Sequence, residues 1–75
     1  MFYFDYESAA RKAGVSAETL SAWRAGFEQE YSRDDMMIEL RLLRACQAAQ
    51  GGEGQLERVI HALEDEFRQM DRLPV

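Results

Sequence analysis

At 75 residues and 47% hydrophobic content, the chain is sized for one small domain with a core of its own, which argues against disorder. Nine Lys and Arg residues against fourteen Asp and Glu give a net charge of −5, a balance that works against binding polyanions. No apolar run approaches the roughly 18 residues of a membrane span, Asp5 and Glu7 interrupt any secretory leader, and the single Cys46 excludes an internal disulfide or a CxxC site. A cytoplasmic location with no membrane partner is the expectation.

Phe2, Tyr3 and Phe4 form an aromatic run too short for an independent strand. They predict a brief edge strand or a hydrophobic lid under the first helix. Asp5 is a good N-cap, so a helix is expected from Tyr6 to Ala13, with Glu7 and Arg11 spaced to pair at i,i+4. Gly14 stands where the chain must turn, because glycine adopts positive φ without a Cβ penalty. Val15 plugs the turn, Ser16 caps the next helix, and Glu18 suits that helix's N-terminal dipole. The second helix is expected from Ala17 to Ala25, ended by Gly26. Ala9, Ala10 and Ala13 let it cross close over the first, and Leu20 and Trp23 point back at them, which predicts a buried Trp23. Residues 5–26 therefore carry the spacing of a helix-turn-helix.

Phe27 to Tyr31 is expected to be a short polar connection between two aromatic anchors. Ser32 with Asp35 three residues on predicts a capping box and a third helix over 32–50. That helix is apolar nearly all round, so it should make contacts on more than one side. Gly51-Gly52-Glu53-Gly54 breaks it, and a fourth helix over 55–72 follows, with Pro74 past its end. Leu56, Ile60, Leu63, Phe67 and Met70 fall at spacings of 4, 3, 4 and 3, the a/d rhythm of a coiled coil. Such a stripe covers either the domain's own core or a seam shared with another chain.

The fold class is thus all-α, with four helices in one domain. Ala9-Ala10, Ala13-Gly14-Val15-Ser16, Thr19-Leu20, Trp23, Gly26-Phe27, Tyr31-Ser32 with Asp35, and the Leu40/Leu43 helix together resemble the MerR-type winged-helix superfamily. The resemblance implies a helix-turn-helix module that binds operator DNA as a dimer, as in a small transcriptional regulator or excisionase-like factor. The same pieces are similar to a smaller acidic relative, the chaperone-modulator family, for which the implied partner is a DnaJ-type co-chaperone. The acidic, leucine-containing Leu63-Glu64-Asp65-Glu66-Phe67 matches that relative too. The stretch from Trp23 to Tyr31 is much shorter than the MerR pattern, so the wing is expected to be vestigial or absent.

On the DNA reading the candidate contacts are Arg11, Lys12, Ser16, Ser21, Arg24 and Arg33. The alternative for the cations is surface charge paired with Glu7, Glu28 or Asp34. The outward face of the second helix should carry Glu18, Ser21, Ala22 and Ala25, with no cation, so phosphate binding would be weak and salt-sensitive. On either reading Leu56, Ile60, Leu63, Phe67 and Met70 are the candidate partner or homodimer interface. Cys46, Met36, Met37 and Met70 are expected as apolar fillers, and His61 as a helix residue beside Glu57. With no nucleophile–base, P-loop or metal-spaced constellation, neither an enzyme nor a cofactor or metal site is expected.

Overall fold

The computed structural model describes residues 3–72, which form four helices: α1 (Tyr6–Ala13), α2 (Ala17–Glu30), α3 (Asp35–Ala49) and α4 (Gln55–Arg72). Among the described residues no strand forms, and no wing separates α2 from α3. Phe2 of the expected lid and Pro74 lie outside the described residues.

The first turn forms as its chemistry dictates. The Asp5 carboxylate accepts the Ser8 amide at 3.1 Å and starts α1. Gly14 ends α1 in the left-handed region at φ 76°, and Val15 is buried behind it. The Ser16 hydroxyl accepts the Thr19 amide at 3.1 Å and starts α2. Glu7 and Arg11 are both exposed, and the Arg11 guanidinium donates to the Ser8 hydroxyl at 3.2 Å.

Helix α2 departs from expectation. It does not stop at Gly26 but continues to Glu30, and Phe27 is a fully buried core residue inside it, not part of a connection. The reason lies in α4. A Cβ on Gly26 would stand 2.5 Å from the Phe67 ring, so the glycine serves a close helix crossing, not a helix end. The space it leaves lets Phe67 meet Phe27 edge-on, with ring centroids 5.1 Å apart and planes at 79°.

The chain then reverses through Tyr31–Arg33, with Arg33 at φ 62°. The expected Ser32 cap is not used. Asp34 starts α3 instead, accepting the Met37 amide at 3.2 Å. Helix α3 is the spine: α1, α2 and α4 all pack against it, which is why it is apolar on several sides. Ile38, Leu42, Ala45, Cys46 and Ala49 are buried along it. So is Glu39, whose Oε1 accepts the Tyr3 and Phe4 amides at 2.7 and 3.1 Å and straps the N-terminal segment down. Trp23 is buried, as its position after the turn requires.

Candidate functional surfaces

The outer face of α2 is where a helix-turn-helix would meet its partner. Glu18, Ser21, Ala22 and Ala25 are all exposed there, with Gln29 continuing the same stripe. The expected DNA contacts do not converge on it. Arg11 and Lys12 are exposed at the end of α1, beside the turn, and Ser21 is exposed on α2. The Ser16 hydroxyl is occupied by its own helix, holding the Thr19 amide and lying 3.0 Å from the Thr19 hydroxyl. Arg33 is exposed but follows the far end of α2, about 20 Å of helix from the turn.

Arg24 is half-buried and engaged within the chain. Its Nε donates to Glu28 at 2.9 Å, and its guanidinium donates to the Tyr6 hydroxyl at 2.8 Å, with the cation 6.0 Å from the centre of the Tyr6 ring. Partial burial disfavours the charged form, but Tyr6 and Glu28 outweigh it and hold the guanidinium more firmly protonated than usual. Arg24 therefore ties α2 to α1 instead of standing free. The Glu28 partner was legible as an i,i+4 spacing; Tyr6, 18 residues back, was not.

No protein-family model, curated protein or solved structure matches the chain. The helix-turn-helix resemblance accordingly rests on the Gly14-Val15-Ser16 turn and its neighbours.

The apolar stripe of α4 is turned toward its own chain. Leu63 is buried, and Leu56, Ile60 and Phe67 pack against the core, with Met70 half-buried beyond them. Beside that contact lies a polar cluster that sequence reasoning missed. One guanidinium nitrogen of Arg41 donates to both oxygens of Glu66, at 2.9 and 3.2 Å, and another donates to the Tyr31 hydroxyl at 2.6 Å. Glu30 stands 3.8 Å from Arg41, and the cation lies 4.9 Å from the centre of the Phe27 ring. The cluster joins α2, α3 and α4.

Three other features carry little chemistry. Burial pushes the Cys46 thiol up to about 11, so it stays protonated and unreactive at neutral pH. His61 is exposed on α4, 3.9 Å from Glu64. A hollow of about 190 Å³ lined by Tyr3 to Glu7 is smaller than ordinary ligand pockets and comes from a single run of residues. Among the described residues no group of three or more His, Cys, Asp and Glu is placed to hold a metal, and no helix is long and apolar enough to cross a membrane.

Proposed function

We propose that this chain is a protein-binding adaptor built on a helix-turn-helix scaffold, with a DnaJ-type co-chaperone as its candidate partner class. The observation that carries the proposal is the engagement of half-buried Arg24 by Tyr6 and Glu28. It leaves the outer face of α2 with short uncharged side chains at Ser21, Ala22 and Ala25 and an acidic residue, Glu18, in its first turn. Short side chains admit a partner's backbone closely, and a net charge of −5 favours a basic one. The resemblance to the chaperone-modulator family supplies the partner class.

A DnaJ-type co-chaperone titrated into the isotope-labelled chain tests this. Amide shifts should move at Ser21, Ala22 and Ala25, and Ala22→Arg should weaken binding at least tenfold, a loss of about 1.4 kcal/mol. Shifts confined to other faces, or none at all, would remove the proposal.

Duplex DNA, the first expectation from the sequence, becomes the second reading, favoured by the formed turn and by exposed Arg11 and Lys12 beside it. Its support is thinner. A two-fold DNA reader needs a dimer to set recognition helices about 34 Å apart, and the α4 stripe that would build the dimer already packs within the chain.

A further inference from the structure

The contact between the end of α2 and the last third of α4 holds two carboxyl groups and one guanidinium. Arg41 spends its short hydrogen bonds on Glu66 and Tyr31; at 3.8 Å, Glu30 is too far from it for one. Glu30 and Glu66 stand against the same guanidinium, at 3.8 and 2.9 Å, and each perturbs the other's carboxyl. The Glu30 Oε2 is buried, and no donor reaches it. Two ionised carboxylates are acceptors only, so neither can satisfy the other. One proton between them converts a like-charge repulsion into an O–H···O bond and gives the unpartnered Oε2 a partner.

We infer that Glu30 and Glu66 share a single proton across the α2–α4 contact, and that the pair, held by Arg41, is a pH-responsive clasp on α4. The proton resides on Glu30. Burial, and then Glu66, push the Glu30 carboxyl above the ordinary value of 4.5, outweighing the Tyr31 hydrogen bond and the Arg41 charge, which pull it down. Burial also pushes Glu66 upward, but the hydrogen bonds from Glu30 and Arg41 outweigh it and hold Glu66 below 4.5 as the ionised partner. The groups facing the proton are Glu30 from α2, Tyr31 from the turn, Arg41 from α3 and Glu66 from α4. Neighbouring charges are engaged elsewhere: Glu28 with Arg24, Asp34 at its own cap, Asp65 with Arg68.

The two carboxyls set opposite limits. A raised folded-state pKa means the stabilisation from Glu30 is complete below 4.5 and is lost as pH rises through the raised value. A lowered one means the stabilisation from Glu66 is present above 4.5 and is lost as pH falls through the lowered value. The clasp is therefore tightest in mildly acidic solution and loosens toward neutrality.

The test uses the full chain. Side-chain carboxyl resonances are followed from about pH 3 to 8, and hydrogen exchange of α4 amides, corrected for the intrinsic rate, is compared with that of α1. Glu30 should titrate above and Glu66 below an ordinary glutamate, and α4 should open severalfold more often at pH 8 than at pH 5 while α1 changes little. In Glu30→Gln the amide donates permanently to Glu66, so α4 protection at pH 8 should rise above the parent's and lose its pH dependence. Two independent carboxyls titrating near 4.5, or α4 protection that is flat with pH in the parent, would overturn the inference; so would a Glu30→Gln chain less protected than the parent at pH 8.

Discussion

A glycine inside a helix costs about 1 kcal/mol relative to alanine, and Gly26 occupies the interior of α2 against that cost. Alanine at this position would raise helix propensity while driving its Cβ into the Phe67 ring, 2.5 Å away. Swinging the half-buried ring aside would break its edge-on packing with fully buried Phe27. Overpacking of this kind costs about 1–3 kcal/mol, so Gly26→Ala should destabilise the chain despite its better propensity. Combined with Phe67→Leu, the same substitution should cost less than it does alone. Urea denaturation of the two single variants and the pair measures that coupling. A Gly26→Ala chain more stable than the parent would mean that Phe67 is not seated in the gap.

The starts of α1 and α2 were legible in the sequence because a cap is a local device, while the start of α3 was misplaced because Ser32 and Asp34 both offer a capping side chain. Asp5 and Ser16 each bond the amide three residues on, and α1 begins and ends where its capping residues place it. The end of α2 was misread because a glycine that terminates a helix and one that admits a crossing ring look alike in one dimension. What separates them is Phe67, on another helix. The same limit hid the Arg41 clasp: Glu66 lies 25 residues from Arg41, and no periodicity encodes that pairing. The α4 stripe was legible as an apolar face, and its partner was not. Since that face packs on α2 and α3, charges placed in it should unfold the chain and not merely split a dimer. Leu63→Asp with Phe67→Asp puts one charge at a buried position and another against Phe27, an uncompensated burial that exceeds the roughly 5–10 kcal/mol available to so small a domain. Far-UV circular dichroism should show loss of most helix at 25 °C, whatever mass light scattering gives the parent. Full helicity with a halved mass would restore the intermolecular seam.

The molecule measures 37 × 30 × 18 Å, a slab less than two helix diameters thick. Screening at about 0.1 M salt acts over roughly 10 Å, comparable with half that thickness, so the charge of −5 is felt near every face. A phosphate backbone approaching α2 meets an acidic residue in its first turn, Glu18, with Arg11 and Lys12 exposed beside the turn to draw it in and Arg24 engaged by Glu28 and Tyr6. If the turn presents α2 as a helix-turn-helix does, charge and not shape is what keeps DNA away, and adding cations to that face should create binding. Glu18→Lys with Ala25→Lys changes two exposed positions and adds +2 and +1, taking the net charge from −5 to −2. Fluorescence anisotropy with a generic duplex should show no saturable binding by the parent at about 50 mM salt, because two exposed cations release few counterions. The double variant should bind weakly and lose affinity steeply with salt, its slope growing by about 0.9 for each new phosphate contact. Salt-sensitive binding by the parent that Arg11→Ala with Lys12→Ala abolishes would put the DNA reading first. A double variant that folds and still ignores DNA would mean that α2, despite its Gly14-Val15-Ser16 turn, is not held where a groove could receive it.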